Sequence, residues 1–474
     1  MNSNYSAQEK NFATALLHNL WKYLLLAASI VATVKIIFFG FDIDEQYAVS
    51  MAYRLVQGDR MFLEMWEPHQ TSAFFSAAFL WLYMQLFHTL KYSVLFLRIV
   101  GVVTQLLISI LTYRTFRKFV TENTAFVIAV FYYNIIPKNS TVPDFSNMLL
   151  WFSTLVFLSF LEFSLNRGTS ARRPAFFLIA AGVSTSLLVL SYPTCIFVVL
   201  PGCIGIWLLS AAGNRLKNLL IYLGTCGVCG LGWLAYFLCH MSFRQFLDGL
   251  SEMLTDGSHD VGLLGKLKDN LSCLGETFPY LMVALVIALV FWCFFRFICR
   301  KNYRFFLLLI ISLILEQLFV WYRLQKHIEY PGFVYLLFPL WGIYCYFRRK
   351  KSSGELAPVY KALFWFGSIT SLFLLLAAFT ASNTMLYESA DYMAIVCWFL
   401  YAMKSGKHRN LPFSGNLLSC CLWDLPSFTK DFRCIIFTVT TPFSSHGRKR
   451  KRAPWQESTA GIPMATSIIS EDVC

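Results

Sequence analysis

Six carboxylates fall between residues 41 and 70, in FDIDEQYAVSMAYRLVQGDRMFLEMWEPHQ, although most of the chain is apolar and basic. A further acid, Asp144, lies in IIPKNSTVPDFSNMLLW, and Arg98, Lys326 and His327 are cations at the borders of apolar runs. A carboxylate can take the proton from an attacking hydroxyl, while cations neutralise a phosphate leaving group. These residue types suit the transfer of a sugar that is carried on a lipid phosphate.

Several of these charges also have a purely structural interpretation. Asp44 follows the first apolar run directly and is a candidate N-cap for the helix that comes next. Glu316, inside a later apolar run, has Arg323 as a candidate ion-pair partner. The functional interpretation depends on Asp44 and Asp144, distant in sequence, meeting at one cleft.

Composition indicates a membrane protein. The 474 residues are 57% hydrophobic and 14% charged, with a mean hydropathy of +0.56, which no soluble globular domain matches. The formal net charge is +14, but the Lys and Arg residues form short clusters between apolar runs. That distribution is typical of cytoplasmic loops, and we expect no nucleic-acid partner.

The apolar runs define the candidate membrane spans. Runs long enough to cross a hydrocarbon core of about 30 Å lie near 20–40, 94–113, 122–137, 147–165, 174–190, 195–211, 218–238, 279–296, 305–322, 331–347 and 362–381, with a shorter one near 392–403.

The run 73–87 decides which side each loop faces. If it does not cross, all strongly basic loops fall on one side, and the positive-inside rule places them and both termini in the cytoplasm. If it does cross, the basic turn 114–118 faces outward and the pattern breaks. We therefore expect 73–87 to form a juxtamembrane helix in the outer interface, beside about twelve true spans.

This topology divides the chain into three parts. Residues 1–19 form a cytoplasmic N-terminus, and residues 404–474 form a cytoplasmic tail that is either disordered or the product of a reading-frame accident. Between them lies an all-α membrane domain, 20–403, with outer loops at 41–93, 137–146 and 239–278. The acids described above belong to the first two outer loops.

Several segments resemble the GT-C glycosyltransferases, in the branch of the protein O-mannosyltransferases and the aminoarabinose lipid A transferase. Residues 41–87 resemble the first outer loop of that branch, where Asp-Glu precedes a helix and a proline-containing segment opens a juxtamembrane helix. The match continues over about 20–350, in YSVLFLRIVGVV, RTFRKF, VPDFSNMLLWF and KHIEYPGFVYLLFPLWG. The resemblance implies a GT-C-type helical bundle.

The resemblance also implies roles for individual acids. Asp44 becomes the catalytic or acceptor-orienting carboxylate, and Glu45 is its motif partner. Asp144 becomes the second acid, which shapes the acceptor site or, together with Asp44, helps to hold a divalent metal if one is needed.

The resemblance also implies that the cations lie near the phosphate of the donor. Arg98 becomes a donor-phosphate or scaffold residue, and Lys326 and His327 become further phosphate-binding candidates. Where many relatives have Lys-Pro or Pro-Pro, this chain reads Glu67-Pro68-His69-Gln70, so His69 is the candidate replacement for a missing lysine.

The expected function is therefore an enzymatic one: a multi-pass glycosyltransferase of the bacterial plasma (inner) membrane, with an outward-facing site. It moves a sugar from a polyprenyl-phosphate donor to a hydroxyl of a glycolipid, glycan or protein. The alternative is a transporter or flippase of lipid-linked glycans, which would carry ionisable groups near the bilayer midplane in broken helices. A catalytically silent scaffold is a third interpretation.

Overall fold

The computed structural model describes residues 2–39, 43–65, 67, 69–137, 140–167, 172–254, 263–301, 303, 305–324, 330–349, 357–380 and 386–405. Within these ranges the regular structure is helical, apart from one isolated bridge between Met61 and Met65. The predicted all-α class agrees with this architecture.

The helices follow one another along the chain as α1 (Asn2–Phe39), α2 (Ile43–Gln57), α3 (Ala73–Phe87), α4 (Ser93–Phe116), α5 (Glu122–Tyr133), α6 (Phe145–Leu165), α7 (Arg172–Ser191), α8 (Val199–Leu209), α9 (Arg215–Leu238), α10 (Phe243–Leu254), α11 (Leu263–Cys293), α12 (Phe305–Leu324), α13 (Gly332–Tyr335), α14 (Leu337–Arg349), α15 (Ala357–Ala362), α16 (Thr370–Thr380) and α17 (Leu386–Ser405). Short 3-10 turns precede α3 and α8, and π-helical turns follow α11 and α15.

Each predicted span coincides with one or more of these helices. Seven helical segments among the described residues are long and apolar enough to cross a membrane: 19–39, 93–116, 145–165, 172–191, 212–238, 264–298 and 358–378. The chain is accordingly a multi-pass membrane protein, whereas the total of twelve spans stays a prediction. Helix α3 covers Ala73–Phe87, the bounds predicted for the interfacial helix, and its position relative to the bilayer also stays a prediction.

Two helices, α6 and α17, form the centre of the bundle. Both consist mostly of apolar residues and are largely buried on every side, the pattern expected of a helix that is enclosed by others. Trp151 of α6 and Trp398 of α17 are almost completely buried. Phe160 of α6 stacks on Phe366 at 4.1 Å, beside α17. The short apolar run near 392–403 is thus part of a core helix, while residues 406–474 of the predicted tail lie outside the described residues.

The outer helices present apolar side chains to the surroundings. Val31 of α1, Val228 of α9 and Phe297 at the end of α11 are each about 70% exposed (68%, 71% and 71%). Water would penalise a continuous apolar surface of this kind, whereas acyl chains cover it without cost. This surface marks the region that lipid surrounds.

Ion pairs mark the two ends of the bundle. At one end Lys118, just after α4, donates a hydrogen bond of 2.5 Å to Oε2 of Glu162, near the end of α6. At the other end Arg98, in the first turns of α4, pairs with Glu45 of α2. We refer to these as the Glu162 end and the Glu45 end.

The structure corrects the predicted partner of Glu316. The buried carboxylate accepts a hydrogen bond of 3.1 Å from the Tyr330 hydroxyl and does not pair with Arg323. Arg323 lies seven residues further along α12, about 10 Å of helical rise away, and its side chain is exposed. Tyr330 reaches Glu316 because the segment that begins at residue 330 packs back against the bundle.

Candidate active site

The Asp-Glu motif lies in the first turn of α2. The helix begins at Ile43, so Asp44 lies inside the first turn and is not the N-cap that its position after the first span predicted. Negative charge in the first turn is favourable because it faces the positive end of the helix dipole. Glu45 is only 4% exposed, whereas Asp44 is partly exposed.

Glu45 is held by Arg98 in a bidentate ion pair. Arg98 donates from Nε to Glu45 Oε1 and from Nη2 to Oε2, both at 2.6 Å, and from Nη1 to the carbonyl of Ile37 at 2.8 Å. A planar fork of this kind is strong and geometrically specific. It ties the end of α1, the start of α2 and the start of α4 together. Of the two roles implied for Arg98, this geometry favours the scaffold role.

The segment that carries Asp144 packs against the same part of α4. The Thr141 hydroxyl donates to the carbonyl oxygen of Arg98 at 3.0 Å. Gly101 allows this approach, since a Cβ at that position would lie 1.6 Å from the carbonyl oxygen of Thr141. The Asp-Glu motif, Arg98 and the segment 140–144 therefore form one continuous set of contacts.

Asp144 is the N-cap of α6. Its Oδ1 accepts from the backbone N–H of Asn147 at 2.7 Å, its Oδ2 accepts from the Ser146 hydroxyl at 2.9 Å, and the residue is 2% exposed. The Asn147 amide also donates to the carbonyls of Ser140 and Val142. Asp144 thus has a structural role, and its predicted role in catalysis or metal binding stays a prediction, as does the meeting of its side chain with that of Asp44.

His69 lies next to the Asp144 cap. Its ring stacks on Phe145 with centroids 3.8 Å apart and planes 13° apart, and Tyr192 stands on a further side at 5.2 Å. The chain after His69 is tied down, because the Thr71 hydroxyl donates to the carbonyl of Leu190 at 2.6 Å. The predicted phosphate-binding role of His69 stays a prediction, but the ring is held beside the segment that carries the second acid.

Most of the other acids in the first predicted outer loop have structural partners. Arg54 donates to Asp59 Oδ2 at 2.7 Å and to Glu67 Oε1 at 2.6 Å. Burial opposes the charge of Arg54, but these two carboxylates outweigh it and raise its pKa. Arg60 binds Glu64 at the surface and lowers the pKa of that carboxyl. The acid cluster is largely a set of loop-stabilising ion pairs, which sequence reasoning missed because it did not consider Arg54.

A small, open groove lies beside Gly101 and Thr141, between α1, α4, α5 and α6. Thr33, Gln105, Tyr133 and Asn147 supply its polar groups. The hydroxyls of Thr33 and Tyr133 share a hydrogen bond of 2.9 Å, which links α1 to α5 across the groove. Neutral polar groups next to a membrane helix can bind hydroxyl-bearing molecules or water.

The described residues do not present a ready metal site. No three His, Cys, Asp or Glu side chains gather among them. Both oxygens of Asp144 already accept hydrogen bonds, and divalent cations such as Mg²⁺ and Ca²⁺ require several free oxygen ligands. A divalent metal held by Asp44 and Asp144 stays a prediction. Lys326 and His327, two of the predicted phosphate ligands, lie outside the described residues.

Comparison with known proteins gives a weak structural likeness. No family model matches the chain, and no curated protein matches it significantly. The crystal structure of the oligosaccharyltransferase of Archaeoglobus fulgidus in its apo form superposes with a TM-score of 0.48 at 12% sequence identity. The superposition covers 87% of this chain and 56% of that one, so the chain spans little more than half the length of that enzyme.

Proposed function

We propose that the chain is a membrane glycosyltransferase that moves a sugar from a polyprenyl-phosphate donor to an acceptor hydroxyl, at the outer face of the plasma membrane. The observation that carries the proposal is the contact network around Arg98. It links the Asp-Glu motif of α2 to the segment with Asp144, and these are segments on which the resemblance to GT-C enzymes rests.

The three acids of the network have different roles. Glu45 is buried and bound through both oxygens, so it fixes the start of α2. Asp144 is buried and caps α6. Asp44 is the partly exposed acid of the three, and it is our candidate for the general base.

The proposed reaction has a simple electron balance. The Asp44 carboxylate takes the proton of the acceptor hydroxyl, and the acceptor oxygen attacks the anomeric carbon of the sugar. The bond between that carbon and the phosphate oxygen breaks, and its electron pair stays on the phosphate. Attack from the face opposite the phosphate inverts the configuration. His69, Lys326 and His327 are the candidates that neutralise the leaving phosphate.

Transport of lipid-linked glycans is the second candidate, and specific features favour it. Glu316 and Asp391 are buried acids within α12 and α17. Pro279 lies inside α11, and a π-helical turn, Leu363–Ile369, interrupts the path from α15 to α16. Intramembrane acids and interrupted helices are frequent in transporters. A transporter would move its lipid-linked substrate without consuming the sugar–phosphate bond.

The test compares two variants in one assay. Comparative mass spectrometry of surface glycans in a deletion strain first identifies the missing sugar, and the matching labelled polyprenyl-phosphate sugar is then given to vesicles that contain the purified protein. Asp44→Asn should reduce transfer by about 10²–10⁴-fold, the usual contribution of a general base. Glu64→Gln is the matched control, because Glu64 is an exposed acid of the same predicted loop.

Three outcomes would separate the candidates. A rate of sugar transfer by Asp44→Asn within about tenfold of the rate of the unmodified protein would reject Asp44 as the general base. Movement of a fluorescent lipid-linked glycan across the bilayer, with the sugar–phosphate bond intact and no transfer by the unmodified protein, would favour the transporter. A deletion strain with unchanged glycans and glycolipids would argue against both.

A further inference from the structure

Two arginines flank the end of α8, at the Glu162 end of the bundle. Arg167, just after α6, donates from Nη1 to the carbonyl of Leu209 and from Nε to that of Ser164 at 3.3 Å. The guanidinium of Arg215, the first residue of α9, lies 5.7 Å from the centroid of the Trp207 ring. Both side chains are half-buried.

Each guanidinium retains an enclosed N–H group without an acceptor. These groups are Nη2 of Arg167 and Nε of Arg215, and neither finds a hydrogen-bond partner among the described residues. A buried donor without a partner normally carries a cost in free energy, more so when it is charged. Both cations thus lie where additional negative charge would be stabilising.

The chain offers no carboxylate of its own nearby in sequence. From Phe163 to Leu247 there is no Asp or Glu. The last acid before this stretch, Glu162, is already bound by Lys118. Burial lowers the pKa of Arg167, and no carboxylate of the described residues offsets the effect, in contrast to Arg54 with its two acid partners. Arginine nevertheless remains charged at neutral pH.

Helix capping accounts for only part of this arrangement. Cations often bind the free carbonyls at the C-terminal end of a helix, and Arg167 does so at α6 and α8. Capping leaves the third nitrogen of Arg167 unexplained. It also leaves Arg215 unexplained, since that side chain makes no hydrogen bond to a helix-end carbonyl among the described residues.

Exposed apolar side chains lie next to these cations along the chain. Trp207 is 43% exposed, and Leu208 and Leu216 are 51% and 61% exposed. An exposed tryptophan with neighbouring arginines is typical of the headgroup level of a bilayer. A free anion would gain nothing from this apolar surface, whereas the acyl chains of a lipid would cover it.

We propose that Arg167 and Arg215 bind the phosphate of an anionic phospholipid, whose acyl chains lie along α8 and α9. Arg172, Arg173 and Lys217 add positive charge at the same ends of α7 and α9 and favour a lipid with a net negative charge over a zwitterionic one. This site lies at the end of the bundle opposite to the candidate active site, and it does not depend on the proposed sugar transfer.

The test uses the purified full chain in nanodiscs of phosphatidylglycerol and phosphatidylcholine. Native mass spectrometry, after the protein is released from the nanodiscs, counts the phosphatidylglycerol molecules that stay bound to it. Arg167→Gln and Arg215→Gln should each weaken this retention by about fivefold, the factor expected for one cation near the membrane surface. Arg114→Gln is the matched control, because Arg114 is an exposed cation in the last turn of α4, at the same end of the bundle.

The possible results separate a built lipid site from general surface charge. Equal losses in Arg114→Gln and Arg215→Gln would overturn the proposal, as would displacement of the lipid by inorganic phosphate at a similar concentration. Retention of phosphatidylcholine at the same level would also overturn it. If Arg167→Gln does not fold, Arg215→Gln alone decides the question, because it removes no hydrogen bond to the backbone among the described residues.

Discussion

The ion pair of Glu45 and Arg98 allows a quantitative prediction for Glu45→Leu. The pair is 4% and 12% exposed in its side chains and joined by two hydrogen bonds of 2.6 Å. Each charge-assisted hydrogen bond contributes about 1.5–3 kcal/mol, and removing one partner of a buried pair costs about 3–5 kcal/mol. Glu45→Leu should therefore destabilise the folded protein by about 3–5 kcal/mol, because it removes both charge-assisted hydrogen bonds between the buried carboxylate and the Arg98 guanidinium.

The assay is a double-mutant cycle on unfolding in nanodiscs, followed by tryptophan fluorescence. Glu45→Leu and Arg98→Met are measured singly and together, and each replaces a charge with an apolar group of similar length. The double variant should be more stable than either single one, because neither charge of the buried pair then remains without the opposite charge. The interaction energy from the cycle should be about 2 kcal/mol or more.

The control is Glu64→Leu, which removes the corresponding partner from the exposed pair of Arg60 and Glu64. Water and salt screen that pair, so its loss should have a much smaller effect than the loss of Glu45. Equal effects of Glu45→Leu and Glu64→Leu would refute the reasoning. A double variant no more stable than the worse single variant would refute it as well.

Two close contacts give further predictions for unfolding experiments. Gly101→Ala should destabilise the protein, since its Cβ would lie 1.6 Å from the backbone oxygen of Thr141. Gly224→Ala is the control and should be neutral or stabilising, because its Cβ meets nothing within 4 Å. A larger loss of stability in Gly224→Ala than in Gly101→Ala would contradict this packing. Gly367→Ala places a Cβ 2.2 Å from Sγ of Cys397 in α17, so it should be destabilising and be partly rescued by Cys397→Ala. Absence of rescue would argue against this contact between the π-helical turn and α17.

The positions of helices could be predicted from the sequence because apolar length is a local property. The run 73–87 became α3 with the same bounds, and the run near 147–165 became α6. What the sequence did not reveal is which helices are central. The run near 392–403 is the shortest of the candidate spans, yet α17 is among the most deeply buried of the described helices. Centrality depends on tertiary packing, which a single sequence does not encode in any short window.

The site was predictable in its residue types but not in its pairings. Glu45 and Arg98 are 53 positions apart, and nothing in one sequence indicates that they bind each other. The capping role of Asp144 had a local signal, since an Asp that directly precedes a long apolar run is a common helix start. The resemblance to a catalytic motif favours the same residue as a functional acid, so the sequence alone does not separate the two roles.

The contacts of the three acids argue for one of them as the base. A general base needs a carboxylate oxygen that the substrate can reach, and its partners must allow it to change protonation. Both oxygens of Glu45 are bound by Arg98, and protonation there would break a buried ion pair. Both oxygens of Asp144 are used at the start of α6, where protonation would remove the cap from Asn147. Asp44 is the partly exposed acid of the three, so it stays the proposed general base.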